Sequence, residues 1–130
     1  MDRSSIDGVL EQSRRNLDRV EPEQLADEMA AGALVVDIRP VENRDSEGAL
    51  PGAVVVDRNV LEWRLDPTSP DRLAEADDPD RRVILVCNEG YASSLAAETL
   101  QRVGLPRATD LVGGFRAWHA LHQDEAPDPG

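Results

Sequence analysis

The feature that most constrains this chain is a set of short apolar runs: Ala33-Leu34-Val35-Val36-Asp37-Ile38, Ala53-Val54-Val55-Val56 and Val83-Ile84-Leu85-Val86. None shows the alternation of apolar and polar residues that marks a strand with one wet face. Each is bounded by turn-forming residues and is too short for a fully buried helix. Runs of this kind are strands covered on both faces. Segments with helical spacing lie between them, so strands and helices alternate. The pattern predicts an α/β fold, a parallel sheet of about five strands flanked by helices on both faces.

The first helix is expected over 4–20, where Ile6, Val9, Leu10 and Leu17 recur near helical spacing behind a Ser4 or Ser5 cap. A second opens at Pro22, a favoured first helical position, and stops at Gly32. A short helix over 60–65 carries Trp63. The stretch 66–82, rich in Asp and Pro, reads as a solvated linker with one helical turn over 71–76. A helix over 93–103 ends at Gly104, a short strand follows over 110–112, and a last helix runs over 115–122. The chain therefore divides into an N-terminal helical extension (1–20), a central domain (21–122) and an acidic, disordered tail (123–130).

Composition excludes several functions. Acidic residues outnumber basic ones 26 to 14, a net charge of −12, which opposes binding to nucleic acid or an anionic membrane. All 14 basic residues are arginine, so lysine Schiff-base chemistry and a P-loop lysine are absent. One cysteine, Cys87, permits neither an internal disulfide nor a thiolate zinc cluster. The residues imply no metal and no cofactor. A lone thiol and a first segment without an apolar signal core point to a reducing, cytoplasmic location.

In an open parallel sheet, ligands bind beyond the carboxyl ends of the strands. Those ends carry Asp37 and Arg39, Asp57 and Arg58, Cys87, and Gly113-Gly114. The loop Cys87-Asn88-Glu89-Gly90-Tyr91-Ala92 joins a buried strand to a helix start. Free amides and the helix dipole at such a start favour an anion, and so a thiolate over a thiol. Gly90 lets the loop curl with its N–H groups inward, and Ser93 and Ser94 offer hydroxyls. The contrary reading of Cys87 is a small buried hydrophobe. Arg39 reads first as an ion-pair partner for Asp37, and Arg58 equally as an anion-holding cation or as half of an ion pair. Trp63 and Trp118 read as core, His119 and His122 as surface, and Arg14, Arg15 and Arg19 as a solvated face.

Four stretches together resemble the single-domain rhodanese family of sulfurtransferases over about residues 21–121. Leu34-Val35-Val36-Asp37-Ile38-Arg39 resembles its first strand with Asp-x-Arg. Gly48-Ala49-Leu50-Pro51-Gly52-Ala53 resembles its Gly-His-Ile-Pro-Gly-Ala turn, with Ala49 in place of the histidine. Val86-Cys87-Asn88-Glu89-Gly90-Tyr91-Ala92-Ser93-Ser94 resembles its active-site loop, with Ala92 in place of a common arginine. Leu111-Val112-Gly113-Gly114-Phe115-Arg116-Ala117-Trp118 resembles its closing Leu-x-Gly-Gly-x-x-x-Trp.

The resemblance implies a nucleophilic Cys87 that accepts sulfane sulfur, from thiosulfate or a persulfide, and passes it to a thiol or cyanide. Asn88, Glu89, Gly90, Tyr91, Ala92 and Ser93 would form the loop around that sulfur, and Arg58 would help to hold an anionic donor. A non-catalytic binding or thiol-sensing module is the alternative. A Cys-x5-Arg phosphatase loop is not present, because Ser93 stands six residues after Cys87 and the next arginine is Arg102.

Overall fold

The structure, a computed structural model, describes residues 5–123. Its sheet has four parallel strands in the order β2-β1-β3-β4: β1 (Leu34–Asp37), β2 (Val54–Val55), β3 (Val83–Val86) and β4 (Ala108–Asp110). Leu34 pairs with Val83 and Asp37 with Val86, so the two central strands end level. Their next residues, Ile38 and Cys87, open onto the same sheet edge.

Every residue of β1 and β3 is buried, which accounts for the unbroken apolar runs. Successive side chains still point to opposite faces. Leu34, Val36, Val83, Leu85 and Cys87 join one cluster with Leu61, Leu65, Ala96, Ala97 and Leu100. Val35, Ile84 and Val86 join another with Val20, Leu25, Leu111 and Phe115. The first cluster is covered by α4 (Leu61–Leu65) and α5 (Ala92–Arg102), the second by α2 (Leu25–Ala30) and α6 (Gly114–Gln123). None of the helices among the described residues is long and apolar enough to cross a membrane.

Among the described residues the sheet has four strands, not about five. At the outer side of β4, Val20 makes a single parallel bridge to Leu111. Pro22, two residues on, has no N–H for a ladder, and the chain turns there into a short 3-10 segment, Pro22–Gln24, before α2. The first helix, α1 (Ile6–Arg14), is shorter than the expected 4–20. It is capped by Ser5, whose Oγ accepts the Gly8 amide at 3.2 Å, and it ends early because Val20 must be extended to reach β4. α1 packs on α5, burying Leu10 and Ser13.

β4 begins two residues before the expected 110–112. Leu111 still donates its amide to the Leu85 carbonyl of β3 at 3.0 Å, and Val112 turns instead to Val20, whose carbonyl accepts the Val112 amide at 2.8 Å. α3 (Val41–Glu47) has no counterpart among the elements expected from the sequence; none of its residues is buried, so it has no apolar face to betray it. The segment 66–82 lacks regular structure but is not wholly solvated, since Leu73 and Ala76 enter the core. The expected acidic tail lies outside the described residues apart from Gln123, the last residue of α6.

Candidate active site

Cys87 follows the last residue of β3 and sits 8 % exposed at the foot of a pocket of about 370 Å³. Its Sγ accepts the Gly90 amide at 3.1 Å and the Ser93 amide at 3.4 Å. The Ser93 hydroxyl lies 3.2 Å away and accepts from the thiol. The loop thus places two backbone N–H groups and the start of α5 on one sulfur. Such donors stabilise negative charge there without a nearby cation.

Gly90 makes this curl possible. Its φ is +87°, and a Cβ there would stand 2.8 Å from the Gly113 amide nitrogen. The Gly113-Gly114 turn packs directly under the loop. From it α6 sends the Phe115 amide to the Cys87 carbonyl at 2.8 Å and the Arg116 amide to the Asn88 carbonyl at 3.1 Å. The start of α6 therefore supports the loop from below as the start of α5 closes it.

Around the pocket stand Ile38, Pro40, Tyr91 and Ala92, which make its lining mostly apolar, with Arg39, Arg58, Asn88 and Glu89. Arg39 is 2 % exposed and forks onto Asp37, Nη2 to Oδ2 at 2.7 Å and Nε to Oδ1 at 3.0 Å. Its Nη2 also donates to the Gly48 carbonyl at 2.9 Å, and its guanidinium lies 3.8 Å over the Phe115 ring. The ion pair expected for Arg39 is present, and it locks the end of β1. Arg58 reaches the pocket rim, where its Nη1 donates to both carboxylate oxygens of Glu62 at 3.0 Å. The ion pair of one reading is thus present, with Arg58 at the pocket rim.

Glu89 is exposed, and its carboxylate lies 3.4 Å from Nη1 of Arg116. Arg116 also donates Nε to Glu47 of α3 at 3.0 Å. That hydrogen bond, with a second from Asn43, holds the Glu47 carboxyl below its ordinary value of 4.5, and raises Arg116 in turn. Arg116 thus ties α3, α6 and the loop together. Tyr91 is exposed at the pocket wall; Ser93 is fully buried beside the sulfur. Trp118 packs half-buried against the core and stacks on His122, with centroids 4.3 Å apart. Trp63 is a correction: it is 59 % exposed.

Three residues with a part in the site escape a reading of the sequence. Asp110, at the end of β4, is fully buried and accepts both the Ser93 and the Ser94 hydroxyls at 2.7 Å. Arg19 pairs with it, and Arg14 and Arg19 both donate to the Gly90 carbonyl, at 2.7 and 3.1 Å. The expectation of a solvated arginine face holds for Arg15, which is exposed, and fails for Arg14 and Arg19. The available signal was a single acid at the end of a buried strand, which demands a partner.

Comparison with known proteins agrees with this architecture. The family model of the Rhodanese-like domain matches residues 21–121. The thiosulfate sulfurtransferase GlpE of Pseudomonas savastanoi pv. phaseolicola is 31% identical over 107 residues, covering 82% of this chain and 92% of that one. GlpE of Stutzerimonas stutzeri is 34% identical over 107 residues, covering 82% and 89%. Among solved structures, a Rhodopseudomonas palustris protein of unknown function, described as a possible tyrosine phosphatase, superposes with a TM-score of 0.80 at 28% identity, over 93% of this chain and 96% of that one. The human single-domain sulfurtransferase TSTD1 shares the fold, with a TM-score of 0.65 at 24% identity over 77% and 93% of the two chains. A parallel sheet that ends in a cysteine loop, backed by a Gly-Gly helix start and matched across residues 21–121, places this chain in the rhodanese family.

Proposed function

We propose that the protein is a sulfurtransferase that carries sulfane sulfur on Cys87. The observation behind this reading is the pair of amides, Gly90 and Ser93, directed at a cysteine sulfur that opens into a pocket. The Cys87 thiolate attacks the outer sulfur of the donor. The donor's S–S bond breaks, and its electron pair leaves with sulfite, or with a thiolate when the donor is an organic persulfide. Cys87 then carries a persulfide, whose negative charge is held by the same amides. An acceptor attacks the outer sulfur and departs with it, cyanide as thiocyanate or a thiol as a new persulfide, and the Cys87 thiolate returns. A thiolate attacks sulfane sulfur directly, so the step itself calls for no general base.

The pocket's apolar lining supports an organic persulfide over a small dianion. Ala92, where the family pattern often has arginine, adds no charge, and Arg58 shares its own with Glu62. Phosphoryl transfer is disfavoured by the same chemistry, because no arginine stands within the loop to clamp an oxyanion.

Intact-mass measurement after incubation with thiosulfate or glutathione persulfide tests the proposal. The wild type should gain the mass of one sulfur atom, removable by cyanide or dithiothreitol, and Cys87→Ser should gain none. A wild type that stays unmodified under excess of both donors overturns it. Cys87-dependent hydrolysis of an aryl phosphate would point to a phosphatase instead.

A further inference from the structure

We infer that Arg14 and Arg19, which precede the family domain, are positioning residues for the sulfur-holding loop: they neutralise Asp110 and pin the Gly90 carbonyl, so that the Gly90 and Ser93 amides stay on the Cys87 sulfur. The inference deepens the sulfurtransferase reading and rests on it for the meaning of the loop.

The electrostatic part begins at Asp110. Its side chain is wholly buried and reaches Cys87 through one group, because Ser93 Oγ donates to Oδ2 at 2.7 Å and lies 3.2 Å from Sγ. An uncompensated carboxylate there would repel a thiolate or a persulfide anion. Arg19 compensates it as a fork, with Nε on Oδ1 at 2.7 Å and Nη2 on Oδ2 at 3.2 Å. Ser94 Oγ completes the set, donating to Oδ2 and accepting Arg14 Nε at 2.9 Å. Two guanidiniums thus stand against one carboxylate on the inner side of the loop. On the outer side Arg39 is paired with Asp37, Arg58 with Glu62, and Glu89 with Arg116.

The conformational part concerns Gly90. One residue carries both the amide that donates to Sγ and the carbonyl that accepts from Arg14 and Arg19. At a φ of +87° it is a glycine, with no side chain of its own to hold its orientation. Holding the carbonyl on the two arginines limits the swing of the Cα that also carries the amide. Val20 keeps these residues in place, since its amide donates to the Asp110 carbonyl at 3.0 Å.

The test is the rate of Cys87 alkylation by iodoacetamide as a function of pH, with thermal melting and sulfur uptake measured alongside. The proteins are the full chain, Arg14→Ala, Arg19→Ala, Arg19→Lys, and Arg19→Ala combined with Asp110→Asn. Arg19→Ala should raise the pH midpoint by about one unit and slow neutral-pH alkylation roughly tenfold. Adding Asp110→Asn should return the midpoint towards wild type, and Arg19→Lys should keep it. Arg14→Ala leaves Asp110 paired and should slow alkylation about twofold to threefold; it carries the test if Arg19→Ala does not fold. Midpoints and rates that stay at wild-type values in the alanine variants, while melting temperatures fall, would make the arginines mere clamps and overturn the inference. A double variant with no recovery would overturn it as well. If the expected alkylation pattern appears in a wild type that takes up no sulfur, the positioning role stands and the sulfurtransferase reading falls.

Discussion

Replacing Gly90 with alanine separates two ways in which a glycine can matter. Gly90 and Gly32 share a positive φ, +87° and +102°, but their surroundings differ. A Cβ on Gly32 meets nothing within 4 Å, whereas one on Gly90 would lie 2.8 Å from the Gly113 nitrogen and 3.2 Å from its Cα. Gly32→Ala should therefore cost only the left-handed backbone penalty, about 1–2 kcal/mol. Gly90→Ala adds overpacking against backbone that cannot rotate away, about 1–3 kcal/mol, for a total of roughly 2–5 kcal/mol. At about 3–5 °C per kcal/mol for a chain of this size, melting should fall by roughly 3–10 °C for Gly32→Ala and 6–25 °C for Gly90→Ala. Differential scanning calorimetry measures both, and alkylation of Cys87 reports the loop. Only Gly90→Ala should also slow alkylation, since the relieved clash moves its amide off the sulfur. Equal losses of stability, or an unchanged Cys87 in Gly90→Ala, would refute the close packing of the loop on the Gly113-Gly114 turn.

Ala92→Arg places a cation at the exposed first residue of α5, on the pocket wall. Its attraction for a donor anion at about 6 Å is roughly 2–3 kcal/mol before screening and desolvation, against about 0.3–1 kcal/mol lost to the helix dipole. Thiosulfate turnover should therefore improve several-fold with little change for glutathione persulfide; unchanged or worse thiosulfate kinetics at equal melting temperature would refute this. Arg58→Ala should raise KM for thiosulfate more than it lowers kcat in steady-state assays; an unchanged KM with reduced stability would leave Arg58 as the partner of Glu62 only. The Glu47 carboxyl is held low by Arg116, so its contribution is complete above its ordinary value and is lost as pH falls through the lower, folded one. The melting temperature of wild type should exceed that of Glu47→Gln slightly at neutral pH and converge with it as the pH is taken into acid; a gap that persists in acid would refute the pairing.

Legibility in the sequence followed how local each signal was. β1 and β3 were readable because Leu34–Val36 and Val83–Val86 are apolar on both faces. β4 was misplaced because two of its three buried residues, Thr109 and Asp110, are polar. α3 was missed because a helix with no buried residue leaves no period to detect. The Cys87 loop was readable because strand end, glycine and helix start follow one another directly. The Arg19–Asp110 pair was not, because its partners are 91 residues apart and meet only when Val20 docks on the sheet. Arg39 was readable for the opposite reason: its acid lies two residues away.

The single bridge made by Val20 also bears on the open edge of the sheet. β4 is an outer strand, and a bare strand edge is a template for another chain. Val20 occupies the carboxyl end of that edge, taking the Asp110 carbonyl with its amide and offering its own carbonyl to Val112. A version trimmed to begin at Glu21 would keep every residue matched by the family model and lose this cover. It would expose two backbone hydrogen-bonding groups beside the buried Asp110, so self-association should rise when the residues ahead of Glu21 are removed, although the matched domain is unchanged.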